Sequence, residues 1–269
     1  MWWRKAIAFT LRDFRIEKSY RLAFIMRFAG IFFSIATFFF IARLFGHSVS
    51  PYLKPYGGNY FAFVLIGIAF SGLLAVGLGS FSGSIGTSQA QGTLEAMLVT
   101  PTKLSAIILY SSLWSFLFTA INIIIYLALG ALAFGANFSK ANFGAAFIVM
   151  ILTVLVFSGI GILSASFIMV LKRGDPINWI FGSLSGLMGG TFFPVTVLPA
   201  WLQKFAYLFP VFYALRAMRR ALLVGASLTA LSSDLLVLSA MTAAVLPISI
   251  LSFSYAVKQA KIDGSLGTY

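Results

Sequence analysis

Few residues in this chain are equipped for chemistry. The one histidine, His47, stands in a predicted outer loop without a neighbouring carboxylate, and the sequence holds no His-Glu-x-x-His pair or histidine cluster for a metal. The serines within Gly79–Gly83 and Gly182–Gly186 miss the Gly-x-Ser-x-Gly spacing of a nucleophile elbow and lack a base. Small residues of this kind let helices approach closely in a bilayer. Cysteine is absent, so thiol chemistry is too. The carboxylates are Asp13, Glu17, Glu95, Asp175, Asp234 and Asp263, in the amino-terminal helix, loops, span edges or the tail. Proton coupling usually needs an acid inside the bilayer, and none is predicted at its middle; sodium held by carbonyl oxygens is left open. With no Gly-x-x-x-x-Gly-Lys-Ser/Thr loop, nor any Gly-Lys pair, the chain does not bind ATP through a P-loop.

The elements that position these groups are membrane helices. Of 269 residues, 60% are hydrophobic and 9% charged, against about 25% charged in a soluble domain. Several apolar stretches reach the roughly 20 residues that a helix needs to cross a bilayer. Backbone polar groups in lipid must be paired internally, by helices or a closed barrel, and the unbroken, non-alternating runs argue against a barrel. The net charge of +13 falls at the ends of these runs, where anionic headgroups are the natural partner; no nucleic-acid motif accompanies it.

The pattern predicts an all-α integral membrane domain over residues 1–269 with six transmembrane helices, at about 22–45, 60–85, 104–134, 143–171, 177–193 and 235–257. Arg4, Lys5, Arg12, Asp13, Arg15, Glu17 and Lys18 interrupt the first residues, so they are no signal peptide. Residues 1–21 instead read as an amphipathic interface helix, with Trp3, Ile7, Leu11 and Phe14 on one face. Arg27 and Arg43 lie inside the first span, about 24 Å apart along a helix, and are expected to snorkel to opposite headgroup layers. The alternative for either is a charge in a substrate path. Lys172-Arg173-Gly174-Asp175-Pro176 forms a tight turn ending in a cap and proline, and Pro247 is expected to kink the last span.

Residues 194–233 do not fit a span. Pro194, Pro199 and Pro210 cut them into short pieces, and Val211–Val224 carries Arg216, Arg219 and Arg220. Three arginines at bilayer depth would cost several kcal/mol. The segment is therefore predicted as a re-entrant helical hairpin before the last span, dipping into the outer leaflet where protein covers it. Lysines and arginines are more numerous on the amino-terminal side, chiefly in residues 1–21, which sets both termini in the cytoplasm. The contrary charges concentrate in the re-entrant segment.

Two motifs then resemble a known family, the type-2 (ABC-2) permeases of ATP-binding-cassette exporters. One is Gly92-Thr93-Leu94-Glu95 followed by Thr100-Pro101, in a cytoplasmic loop over residues 87–104. The other is Phe193-Pro194-Val195-x-Val197-Leu198-Pro199-x-Trp201-Leu202-Gln203, then Pro210-x-x-Tyr213-Ala214-Leu215 and Arg219. Their order and separation match as well, and the resemblance covers essentially the whole chain.

The resemblance implies a permease in the cell inner (plasma) membrane, paired with a second copy (homodimer) or a related permease. It implies no directly bound cofactor, with ATP and magnesium held by a separate cytoplasmic ATPase subunit. Gly92, Thr93, Leu94, Glu95, Thr100 and Pro101 would form the coupling helix that touches the ATPase. Pro194, Pro199, Trp201, Pro210 and Tyr213 would belong to the outer re-entrant gate. Arg216, Arg219 and Arg220 read as an anchor at anionic headgroups, with a cargo or lipid phosphate site as the alternative. Ser88-Gln89-Ala90-Gln91 departs from the family, where charges are common, and implies a hydrogen-bonded ATPase contact. Phe- and Tyr-rich spans favour a lipophilic or amphipathic cargo; a lipid-linked glycan or ions, or a scaffold without transport, are the alternatives.

Overall fold

The computed structural model describes residues 7–12, 14–15, 21–90, 104–171 and 175–262, and every regular element among them is helical. Residues 7–12 and 14–15 are helical, and the chain continues as α1 (Arg21–Val49), a 3-10 stretch (Ser50–Tyr56) and α2 (Tyr60–Ala90). Next come α3 (Leu104–Leu132), α4 (Phe143–Leu171) and α5 (Pro176–Met188). Two short helices follow, α6 (Ala200–Ala206) and α7 (Pro210–Arg219), the latter running into a π-turn at Arg220–Val224. The last helix is α8 (Ser232–Ile262).

Side-chain caps start the helices where the sequence changes from polar to apolar. Asn59 accepts from the Ala62 N–H at 3.0 Å at the start of α2. At the start of α4, Asn142 accepts from the Ala145 N–H at 3.0 Å and donates to the Ala226 carbonyl at 3.2 Å, tying that end to the loop after α7. Asp175 caps α5 by accepting from the Asn178 N–H at 2.9 Å, with Pro176 at the first helical position, as the Asp-Pro pair predicts.

Five helices contain a stretch long and apolar enough to cross a membrane: Ile25–Leu44, Tyr60–Ser84, Ser112–Leu132, Phe143–Val170 and Ser232–Ala260. The fifth predicted span, 177–193, is cut short. Helix α5 has 13 residues, about 20 Å of helix against roughly 30 Å of hydrocarbon. Gly189 and Gly190 end it, and Gly190 takes the left-handed conformation (φ 62°) that turns the chain back. Helix α1 runs further than predicted, to Val49, and α2 extends to Ala90, into the start of the predicted 87–104 loop. Helix α8 passes through Pro247 without interruption.

Helix α2 is the central post: 72% of its span is buried, against 11% for the span of α1 and 17% for that of α8. It packs on α3 and α4, and α4 packs on α8. Glycines permit the α2–α4 contact: a Cβ at Gly77 would collide with Phe157, and one at Gly161 with the backbone of Gly77. The main core joins α2, α4 and α7 through Leu73, Leu78, Val149, Phe157, Val211 and Leu215. Large apolar side chains such as Phe33, Phe40, Ile124 and Leu251 are exposed on α1, α3 and α8, an arrangement suited to lipid or a partner helix.

Candidate functional site

Two places on this scaffold bring polar groups together inside apolar surroundings. The first is built on α7. Its Val211, Phe212, Ala214, Leu215, Ala217 and Met218 are buried against α2, α4 and α8, which forces its arginines to find partners within the protein. Arg219 is 2% exposed. Its Nε donates to the Phe63 carbonyl at 3.2 Å, its Nη2 donates to the Thr191 carbonyl at 3.0 Å, and its guanidinium lies 3.5 Å from the Phe63 ring centre. Tyr56 meets the same Phe63 ring edge-on, ring centres 5.2 Å apart. Burial pushes the Tyr56 phenol above its usual range against the opposing pull of Arg219, so the charge in this cluster is the arginine's. A Cβ at Gly67 would strike the Thr191 carbonyl and the Arg219 guanidinium, so glycine is required at this crossing of α2.

Arg216 donates from Nε to Asp234 Oδ1 at 2.9 Å and from Nη2 to the same oxygen, and its guanidinium lies over Phe212 at 4.5 Å. Arg220 donates to the Ala230 carbonyl at 3.0 Å, and its Nη1 lies 3.6 Å from Asp234 Oδ2. The Asp234 side chain is fully enclosed, and its Oδ2 has the ion pair but no hydrogen bond. The trio thus divides. A headgroup contact does not fit Arg219, which is sealed between α2 and the turn at Thr191. Arg216 and Arg220 keep about a third of their side chains exposed (31% and 32%) and neutralise an internal carboxylate.

The gate residues read from the sequence are spread around this cluster. Pro194 and Pro210 are buried, whereas Pro199 and Trp201 are exposed. The Tyr213 hydroxyl donates to the Tyr207 carbonyl at 3.0 Å, closing the α6–α7 turn. Gln203 donates to the Leu198 carbonyl at 2.7 Å and the Thr196 carbonyl at 3.2 Å, which explains the glutamine in that motif.

The second place is a cavity of about 470 Å³ between α1, α2 and α3. Ser115, Thr119, Asn122 and Tyr126 recur at helical spacing on α3 and line it together with Ser71 of α2 and Arg27 of α1. The Arg27 guanidinium lies 4.5 Å over the Phe118 ring. Ser71 donates its hydroxyl hydrogen to the Ile68 carbonyl at 2.7 Å, and Thr119 donates to the Ser115 carbonyl at 2.8 Å. Asn122 Oδ1 is buried without a hydrogen-bond partner. Trp114 borders the cavity and meets Phe14 of the amino-terminal helix edge-on at 5.5 Å.

Of the interface-helix residues, Ile7, Leu11 and Phe14 are exposed (54%, 48% and 45%), while Phe9, off the predicted stripe, meets Tyr110 of α3 at 5.8 Å. Trp3 lies outside the described residues, as do Gly92, Thr93, Leu94, Glu95, Thr100 and Pro101. Sequence reasoning missed Asp234 as the partner of Arg216 and Arg220, and it missed Phe63 and Thr191 as the receptors of Arg219. The signal for Asp234 was present: three arginines ahead of an apolar helix call for a carboxylate, and Asp234 stands in the first turn of that helix. The polar stripe on α3 was legible from spacing alone. Among the described residues there is no group of acids and histidines that could hold a metal.

A protein-family profile described as ABC-2 type transporter matches residues 7–223. A comparison with curated proteins finds no match.

Proposed function

The chain belongs to the ABC-2 type transporter family, and on that premise we propose that it is the permease half of an ATP-driven exporter of lipophilic or amphipathic molecules. Membership makes it a multi-pass membrane protein and the permease component of an ABC transporter, not itself a catalyst. The finer reading is ours. Two copies, or this chain and a related permease, enclose a pathway in the inner membrane, with both termini in the cytoplasm. A separate ATPase subunit with its ATP and magnesium docks against residues 92–101. Helix α5 serves as the shortened fifth of six crossings, and α6 and α7 dip into the outer leaflet and return.

The observation that carries this reading is the treatment of α7. A 10-residue helix bearing Arg216 and Arg219 is too short and too polar to cross. Its charges are nonetheless absorbed by α2, α8 and the Thr191 turn. That is the protein cover which re-entrant backbone requires. It also fastens the segment to the bundle, so it would move as part of a rigid-body switch between inward- and outward-facing arrangements. Lipophilic cargo is supported by the apolar, aromatic spans and by the scarcity of charge in them.

The test is reconstitution. The permease co-expressed with a candidate ABC ATPase should co-purify with it, and the pair should hydrolyse ATP faster in nanodiscs than the ATPase alone. Glu95→Ala and a one-residue insertion at Gly92 should uncouple that stimulation while the complex still assembles. Stimulation untouched by both changes would show that coupling lies elsewhere, and failure of any ATPase to associate would favour a scaffold without transport.

A further inference from the structure

From the neutral polar groups of the cavity between α1, α2 and α3 we infer that this permease carries a binding site for an uncharged amphiphile whose head both donates and accepts hydrogen bonds, a primary amide or a hydroxyl. This names the head of the amphipathic cargo proposed above and rests on that reading for the source of the ligand, the membrane. Binding is to the permease alone, so it can fail while ATP coupling stands, and stand while coupling fails. Depth is the first observation. Asn122 stands midway along the candidate span Ser112–Leu132, and Gly72 midway along Tyr60–Ser84. The two helices meet here: a Cβ at Gly72 would lie 3.7 Å from Thr119 Cγ2, and Thr119 and Asn122 share one face of α3. Gly72 is exposed and lines the cavity, so the cavity opens sideways at the level of the bilayer middle. A charged head is most costly at that depth. A neutral amide or hydroxyl reaches it with its chain still in lipid.

The chemistry of the wall is the second. The cavity holds about 470 Å³, in the usual range for a small-molecule site. Arg27 at its edge lies over the Phe118 ring and has a further interaction of its own, so selectivity falls to the neutral groups, which are of both kinds. Ser71 and Thr119 spend their hydroxyl hydrogens on the Ile68 and Ser115 carbonyls and offer lone pairs. Asn122 Nδ2 offers hydrogens, and the hydroxyls of Ser115 and Tyr126 serve either way. Asn122 Oδ1 is buried without a hydrogen-bond partner, and a half-turn of the amide exchanges it with Nδ2. An ester, carboxylate or ionised phosphate brings acceptors alone and leaves the lone pairs of Ser71 and Thr119 unmet. An ammonium brings donors alone and leaves Asn122 Nδ2 unmet. A primary amide or a hydroxyl answers both, and an unmet polar group in a low-dielectric interior is costly. Ile31, Ile68, Val76 and Phe118 complete the wall, apolar surface that a hydrocarbon chain covers and water would wet at a cost.

Oleamide is the probe. Tritiated oleamide is equilibrated with the permease in phosphatidylcholine nanodiscs, with empty nanodiscs as background, and unlabelled analogues compete. Oleamide should compete about threefold better than its N,N-dimethyl derivative, which keeps the carbonyl and loses the N–H donors, as expected for one hydrogen bond in a membrane interior. Oleate, ionised at alkaline pH, should compete more weakly than oleamide. Asn122→Leu should weaken oleamide about threefold, again one hydrogen bond. Gly72→Leu should remove saturable binding by filling the cavity; a Cβ at Gly72 meets only Thr119 Cγ2, at 3.7 Å, so the helix tolerates it. Binding no greater than in empty nanodiscs would overturn the site and leave a cavity that holds water only. Equal competition by oleamide and its dimethyl derivative, or unchanged binding in both Asn122→Leu and Gly72→Leu, would overturn it as well. Stronger competition by ionised oleate would make this an anion site and overturn the uncharged head.

Discussion

The polar groups around α7 and the neutral polar groups of the α1–α3 cavity meet the same apolar surroundings in different ways. Around α7, three guanidinium groups meet one carboxylate and three backbone carbonyls, and each arginine has partners within the protein. Around the cavity, Asn122 Oδ1 is buried without a hydrogen-bond partner. Both arrangements put polar atoms among apolar helices, where an unmet group is expensive. The closed network spends its polarity on holding α7 to α2 and α8. The open one leaves hydrogen-bonding capacity for something from outside. Polarity answered within the protein fastens the fold, whereas an unanswered acceptor adds no tie between helices.

The sharpest way to break this contrast is at Asp234. Asp234→Ala removes the one carboxylate that Arg216 and Arg220 share and leaves two cations without it. Removing one partner of a buried pair typically costs 3–5 kcal/mol; here about 3 kcal/mol is expected, since both arginines can reach solvent or headgroups with their exposed thirds. Thermal unfolding in detergent, followed by circular dichroism, should show the largest drop in Tm of any single change discussed here. Arg216→Gln combined with Asp234→Ala should recover part of the loss, and a melting temperature unmoved by Asp234→Ala would mean that the α7 network is ornament.

A matched pair of glycines on α2 comes next. At Gly67 a methyl would enter the space of the Thr191 carbonyl and the Arg219 guanidinium; at Gly72, one turn and a half away, it would meet only Thr119 Cγ2. Gly67→Ala should destabilise by about 2 kcal/mol through overpacking and displacement of Arg219. Gly72→Ala should lie within about 0.5 kcal/mol of the parent. The same unfolding measurement reads both. If the two melt alike, the closed and open regions do not differ in tightness as the structure has them.

The sequence made the scaffold legible and hid the partnerships. Helices α1 to α4 and α8 follow from uninterrupted apolar runs, and the Asp175-Pro176 cap from local chemistry, because both are properties of neighbouring residues. The end of α5 was harder to read. Phe192 and Phe193 continue its apolar run, yet Gly189 and Gly190 stop the helix, and only the contacts around Thr191 reveal why the stop is wanted. The proline spacing predicted two short helices and found them, but the fate of the arginines depended on residues far off in sequence. Arg219 reaches Phe63, 156 positions away, a contact that no period or spacing encodes. The cavity was half legible. The stripe Ser115, Thr119, Asn122, Tyr126 is written at helical spacing, whereas its alignment with Arg27 is set by how α1 and α3 meet α2.

The smallest expected effect is the most discriminating. Asn122→Leu exchanges one side chain for another of similar size and removes the acceptor that the fold leaves unpartnered. A structural polar group would be missed, and its loss would lower stability. An acceptor without a partner contributes only its desolvation cost, so its removal should leave stability within about 0.5 kcal/mol of the parent or raise it slightly. The unfolding temperature should therefore stay put or rise slightly. Asp234→Ala should show the reverse, a large loss of stability. If Asn122→Leu instead melts early, Asn122 holds helices together, and the cavity is a second closed network whose ties lie beyond the hydrogen bonds described above.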